Sequence, residues 1–597
     1  MSRRSRPPRL PRTVPVGQLR RNLEAVQRFR LSFVFGAILV IFLGLLGRLG
    51  KLQLVDAATW RAASEQRHQR SFTFRGLRGR IEDIHGRTLV TSRRIASVAV
   101  DPQEVVDPVD FARNLAILLD DDSQAARVLR ILRTAPPGSR HRLVSRGIED
   151  ERLLASLFML TTFSATCRAG LRGLKVRVGE KRTYTNGDYA RHVLGRAPVS
   201  SGGAMGGGGA GSGLERGFNE ALQGRTIRVP VRRDGGTRAR YRTALVVDPL
   251  LAKGRDLRLT LDIVVQHYLE RELSRLVKTW KPRLVVGLVL DPRTGHVLAM
   301  ANRNDPAQNA NDLDYVVQGR FAPGSIFKPL VVAEALGKRV VGPDERLDLP
   351  RQFTFFWKRS QRTIHDCDDT ADFDGRGDVV RMIVKSSNVG VAQLLWRLME
   401  MPNGDDGTSG ADVGRVLGFL DRLGFDRSTG IELEGDEPYR LDRSSGRPNP
   451  LYPTVGFAFG QGFVVSPLKL LCAFAALARD DARIVRPTLL PGRGGGRADL
   501  PPVCRSRADL EIVREGLARC VTEGTARRAF EGCAFQVCGK TGTAEIQGTP
   551  YQSAGFAAFA PRENPRLAVL VMAQVDREAR DPETGAKAHG GAVAAPA

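Results

Sequence analysis

The stretch "RFAPGSIFKPL" (Arg320–Leu330) sets a serine and a lysine three residues apart between two prolines. Pro323 and Gly324 disfavour helix before Ser325, and Pro329 is best tolerated near a helix start. The stretch therefore predicts a helix beginning at about Ser325, with Ser325 and Lys328 on one face. A serine hydroxyl is a weak nucleophile until a neighbouring base takes its proton. A lysine can be that base once desolvation or a nearby cation lowers its pKa. A helix N-terminus also offers backbone N–H groups to a developing oxyanion. Alone the pair says little, because a chain of 597 residues can hold a surface serine and lysine at this spacing by chance.

Two later motifs change that weighing. "KSSNVG" (385–390) supplies Ser-x-Asn at Ser386 and Asn388, and "CGKTGTAE" (538–545) supplies Lys540, Thr541, Gly542 and Thr543 on a predicted edge strand. Ser386 can relay a proton between a lysine and a leaving amine, and Asn388 can hold a substrate amide. Lys540 adds positive potential, while Thr541 and Thr543 can bind a substrate carboxylate. Gly542 lets a substrate backbone approach the strand. The order SxxK, SxN, KTG is the set found in penicillin-binding proteins and serine β-lactamases.

The flanks predict the scaffold. "LDIVVQHYLERELSRLVKTW" (261–280) carries apolar residues at 265, 268, 269, 273, 276 and 277, a helical stripe. "RLVVGLVL" (283–290), the turn "DPRTG" (291–295) and "HVLAMAN" (296–302) read as a hairpin. "FQVCGKTGTAEI" (535–546), "SAGFAAFAP" (553–561) and "LAVLVMAQV" (567–575) read as three more strands. The expectation is a five-strand sheet built from both ends of residues 255–597, with mostly helical sequence (325–480) inserted. Upstream, "RGLRGRIEDIHGRTLV" (75–90) reads as an extended segment, a turn at His85-Gly86 and a strand, and Asn186-Gly187 marks another turn. "SSGGAMGGGGAGSG" (200–213) reads as a flexible loop, lacking the strand-glycine-helix context of a nucleotide site.

The N-terminus adds a location. Residues 1–30 hold nine arginines against one acid, Glu24, and the uncharged run Leu31–Gly47 is at the short end of a membrane span. Positive-inside logic keeps the arginine tail in the cytoplasm and exports the chain beyond Arg48. Arg48 and Lys51 separate the apolar run from "VDA" (55–57), so an uncleaved anchor is preferred to a signal peptide. The net charge of +27 permits anionic partners, but the arginines are spread along the chain and no nucleic-acid motif accompanies them. The seven cysteines (Cys167, Cys367, Cys472, Cys504, Cys520, Cys533, Cys538) lack zinc-knuckle spacing; a bond among the last four is allowed, with buried free thiols preferred. "HDCDD" (365–369) invites a metal, but adjacent residues rarely all reach one ion, so no metal and no cofactor is assigned.

These residues resemble the class B penicillin-binding proteins, monofunctional peptidoglycan D,D-transpeptidases, over nearly the whole chain. "RGRIEDIHGRTL" (78–89), "RTYTNGDYARHVLG" (182–195) and "GSGLERGFNEALQG" (211–224) resemble the family's pedestal motifs. "LTLDIVVQ" (259–266) and "GFAFGQGFVVSPLKL" (456–470) resemble the entry to the transpeptidase domain and the segment before its KTG strand. The resemblance implies a multidomain α+β chain: a cytoplasmic tail (1–30), a transmembrane anchor (31–49), a β-rich pedestal (52–254) and a transpeptidase domain (255–597) with a five-stranded antiparallel sheet flanked by helices. It implies that Ser325 attacks the penultimate D-Ala carbonyl of a D-Ala-D-Ala stem peptide, with backbone N–H groups of Ser325 and Thr543 as the oxyanion hole. β-Lactams would acylate Ser325. "SSNVG" looks more like the septal members than the elongation members, which implies a polytopic SEDS-family (shape, elongation, division and sporulation) glycosyltransferase and other division proteins as partners at the cytoplasmic membrane.

Two features depart from the family. It usually continues after "GGAVAAP" (590–596) into a long helix over the sheet, whereas this sequence ends at Ala597. Either the sequence is truncated or that face is covered differently. The insert "MPNGDDGTSGAD" (401–412) reads as a surface loop. Among rival functions, a β-lactamase of the class A type needs Glu-x-x-Leu-Asn, and "EPYRLD" (437–442) spaces its Glu and Leu wrongly and lacks the Asn. A bifunctional protein needs a glycosyltransferase domain, and a sensor needs signalling segments; neither is legible. An inactive scaffold with the same fold is the alternative from another class.

Overall fold

The computed structural model describes residues 16–57, 59, 69–162, 170–198, 210–233, 240–242, 252–304, 313–357, 360–366, 375–400, 413–436, 455–493, 498–546 and 548–597. Most of the glycine-rich stretch, the 401–412 insert, "EPYRLD", Cys167 and Cys367 lie outside these. The chain opens with a helix over Val16–Gly50, longer than the apolar run alone, and Val26–Val55 is long and apolar enough to cross a membrane. Its large side chains are exposed, Phe35 by 74% and Val40 by 69%, as expected of a helix made for lipid rather than for a protein core.

Residues 69–258 form two sheets. The longest strand, Thr88–Val100, pairs with Leu174–Tyr184 and Arg142–Ile148 and, through Ile81–Glu82, with Leu257–Arg258. Phe111, Leu115, Val128, Val144 and Leu157 pack under it. The three motifs read as pedestal elements meet here. Glu215 is fully buried, accepts from Arg78 Nε (2.5 Å) and Arg182 Nε (2.6 Å), and so ties "RGRI", "RTYT" and "LERG" together. The charges are paired where burial would otherwise be costly.

Beyond residue 258, a further sheet has five antiparallel strands, β1 (Leu284–Leu290), β2 (Val297–Asn304), β3 (Cys538–Glu545), β4 (Tyr551–Ala560) and β5 (Leu567–Asp576), in the order β2-β1-β5-β4-β3. It is built from both ends of the region, as the sequence predicts. Alternation sorts the side chains: Leu570 and Met572 join the core on one face, Val571, Ala573 and Val575 the core on the other. Helix α1 (Ile263–Trp280), capped by Asp262, lays Leu269, Leu273, Leu276 and Trp280 on the second face. Val593, Ala594 and Ala595 complete that cover, and Phe556 is only 5% exposed.

The first face carries α2 (Lys328–Gly337), α3 (Val379–Val384), α4 (Asn388–Glu400), α5 (Pro467–Phe474) and α6 (Arg507–Thr522). The inserted region is less purely helical than expected. A hairpin of Gln352–Trp357 and Ser360–His365 projects from it, paired through Thr354–Thr363 and Phe355–Arg362. Glu270 of α1 links this domain to the preceding one, accepting from the backbone N–H of Ala190 at 3.0 Å while Arg303 of β2 pairs with its other oxygen.

Candidate active site

The nucleophile segment does not begin as an α-helix. Gly324–Phe327 is a 3₁₀ turn that passes into α2 at Lys328, with Pro329 in the first turn where no N–H is needed. In 3₁₀ geometry residues i and i+3 eclipse, so Ser325 and Lys328 align more closely than on an α-helix. Ser325 is half-buried and Lys328 is wholly buried. Phe327 anchors the turn from below, its ring 5.1 Å from Phe463 and 5.7 Å from Phe419.

Asp314 caps the short helix Tyr315–Gln318 just upstream, accepting from the N–H groups of Val316 and Val317. Its other oxygen has no partner among the described residues. Burial pushes this carboxyl up to about 7, against the two backbone bonds that favour its charged form.

The second motif reaches the first through the lysine. Lys328 Nζ donates to the backbone carbonyl of Ser386 and to Ser386 Oγ (3.1 Å). Ser386 is left-handed, with φ +57°, a conformation an L-residue holds only when its surroundings impose it. It follows α3, and the N–H groups of Ser386 and Ser387 return to Ile383 and Met382. Asn388 then opens α4, its side-chain amide donating to the carbonyl of His365 at 3.0 Å.

Sequence reasoning missed the group that holds that opening. Asp366, part of the run first weighed as a metal site, accepts from the N–H groups of Asn388 and Val389 and from Ser387 Oγ (2.7 Å). It is a helix cap supplied from a hairpin far back in the chain. Only the acid-rich "HDCDD" signalled it.

The KTG motif lies on β3, at the edge of the sheet as predicted. Lys540 is fully buried and donates to the carbonyl of Thr541 (3.2 Å). Thr541 is 6% exposed, with its hydroxyl 2.5 Å from that of Thr525. Thr543 is the exposed threonine of the two assigned to a substrate carboxylate, and its Oγ1 accepts from Gly590 N–H at 3.1 Å. Gly542 has a further reason to be glycine. A Cβ there would stand 2.8 Å from Pro323 O and 2.9 Å from Ile326 Cγ1, so strand and nucleophile turn touch through it. Gly324 (φ +58°) meets the Thr543 backbone from the other side, and its N–H donates to Gly460 O (3.0 Å) in the Gly-Gln-Gly segment. Burial pushes the thiols of Cys504 and Cys538 up to about 12, far from thiolate chemistry at neutral pH.

Known proteins bear on this geometry. Residues 285–596 match the penicillin-binding protein transpeptidase domain and residues 74–259 the penicillin-binding protein dimerisation domain. Stage V sporulation protein D of Bacillus subtilis (strain 168) is 26% identical over 95% of this chain and 84% of its own length. Peptidoglycan D,D-transpeptidase FtsI of Escherichia coli (strain K12) is 26% identical over 95% and 90%. Peptidoglycan D,D-transpeptidase MrdA of Haemophilus influenzae is 24% identical over 89% and 87%. The crystal structure of penicillin binding protein 2X from Streptococcus thermophilus shares the fold, with a TM-score of 0.64 and 19% identity over 86% of this chain and 78% of that one.

Two outcomes are expected. Gly542→Ala displaces the nucleophile turn from β3, so Ser325 acylation slows at least about tenfold, read by penicillin labelling against time. Asp314→Asn keeps the cap and removes a buried charge. The raised pKa of Asp314 gives a stability contribution that is full below about pH 4 and lost as pH rises through about 7. The melting temperature of Asp314→Asn relative to the native chain therefore climbs between pH 5 and pH 8; a flat difference contradicts the assignment.

Proposed function

The chain belongs to the class B penicillin-binding proteins, and on that footing we propose that it is a serine D,D-transpeptidase of septal peptidoglycan synthesis. The observation that carries the mechanism is the meeting of Lys328 with Ser386 beside a half-buried Ser325, against the KTG strand. Lys328 takes the proton of Ser325 Oγ as that oxygen bonds to the penultimate D-Ala carbonyl carbon of a stem peptide. Backbone N–H groups of Ser325 and Thr543 receive the oxyanion. The C–N bond then breaks, and the proton reaches the leaving D-Ala amine through Ser386. A second strand's amine attacks the acyl-enzyme, the C–O bond breaks, and the proton returns to Ser325. Asn388 holds the peptide amide. Lys540 supplies positive potential. Thr541, Gly542 and Thr543 form the edge against which the substrate carboxylate lies.

The N-terminal helix supports a single-pass protein of the cytoplasmic membrane, and the arginines before it support a catalytic domain outside the cytoplasm. "SSNVG" supports a septal role, with a polytopic SEDS-family glycosyltransferase and division proteins as partners. An elongation role is the second reading.

Labelling with a fluorescent penicillin, native chain beside Ser325→Ala, tests the chemistry. We expect label on the native chain alone; a folded native chain without label leaves only the inactive scaffold. A fluorescent fusion in dividing cells is expected at midcell during constriction, whereas a sidewall distribution throughout growth assigns it to elongation.

A further inference from the structure

We infer that Asp366 is a positioning residue for acyl transfer, holding Ser386 and Asn388 in place without touching the substrate. The inference rests on the reading of Ser325, Lys328 and Ser386 given above. Asp366 follows the last strand of the Gln352–His365 hairpin, and its own N–H donates to the carbonyl of Arg351 at the hairpin's base. The carboxylate is thus fixed from behind. In front, Oδ1 accepts from the N–H groups of Asn388 and Val389, and Oδ2 accepts from Ser387 Oγ. Ser387 is fully buried, and its hydroxyl oxygen accepts from Gly390 N–H at 2.9 Å, so the network continues into α4. His365, the neighbouring residue, takes the Asn388 side-chain amide on its carbonyl. The hairpin therefore grips both ends of Asn388, backbone and side chain.

This grip controls the serine two residues before Asn388. Ser386 stands at φ +57° and presents both its carbonyl and its hydroxyl to Lys328 Nζ. A left-handed serine relaxes when its neighbours stop imposing that conformation. Lys328 restrains it from one side and α3 from behind; Asp366 restrains the next residues along the chain. Without the carboxylate, the first N–H groups of α4 lose their acceptor. The Ser386–Ser387 link then loses one of its restraints, and the Ser386 hydroxyl shifts away from the lysine. The proton path to the leaving amine lengthens while the serine nucleophile and the carboxylate-binding strand stay where they are. The effect falls on the rate of the bond-making step through Ser386 and, through the loosened Asn388, on substrate affinity as well.

The test is acylation of the full chain in detergent by a fluorescent penicillin, following labelled fraction against time over a range of concentrations. Asp366→Ala is expected to lower the limiting acylation rate at least about tenfold and to raise the half-saturating concentration, with labelling still going to completion. Asp366→Asn keeps an acceptor for Asn388 and Val389, so it is expected to recover to within about threefold of the native rate. A native rate in Asp366→Ala overturns the inference. So does a lower final labelled fraction at an unchanged rate, which marks a folding role only. Should Asp366→Ala fail to fold, Ser387→Ala decides: a several-fold slower rate with complete labelling supports the inference, and an unchanged rate overturns it. Absence of label on the native chain would instead remove the serine reading itself and this inference with it.

Discussion

A buried lysine must have acceptors, and the site is arranged around that requirement. Lys328 has no exposed surface, and its nitrogen finds the carbonyl and hydroxyl of Ser386. Leaving such a group unpaired away from water would cost several kcal/mol, well above the ~1–2 kcal/mol of a left-handed serine. Pairing the lysine outweighs the backbone strain, so the left-handed conformation of Ser386 persists. The same bond brings two motifs, separated in the chain by a hairpin and two helices, into one constellation.

Close backbone approach is the second constraint. The nucleophile turn is pressed between β3 and the Gly-Gln-Gly segment, and glycines sit where the surfaces touch. A Cβ on Gly460 would lie 2.2 Å from Gly324 O, and one on Gly590 would lie 2.4 Å from Gly542 O. No side chain fits at such distances. These glycines set how near Ser325 stands to the KTG edge, just as the rings around Phe327 set its depth.

The sheet gives those contacts a rigid floor. Both of its faces are buried, which is why β1 and β5 read as nearly unbroken apolar runs. The edge strand remains open to a substrate on the side of Thr543. Upstream, the paired charges of Arg78, Glu215 and Arg182 fasten the pedestal strands, and Glu270 carries that order into α1 beneath the sheet.

The sequence by itself determined much of this. Motif identity and order singled out Ser325, Lys328, Ser386, Asn388 and Lys540, and of these the fold joins Lys328 to Ser386. Period-2 and period-3.6 patterns gave the five strands and α1, because burial of one face or two writes itself into local composition. The arginine-flanked apolar run gave the membrane helix for the same reason. Tertiary structure alone decided the rest. The 3₁₀ start of the nucleophile turn, the role of Asp366 as a cap and the second reason for Gly542 depend on atoms brought together from distant parts of the chain. "HDCDD" read locally suggests a metal, since only the fold shows that the first aspartate faces the N–H groups of α4. Local pattern reports what a segment must bury; it does not report which neighbour will meet it there.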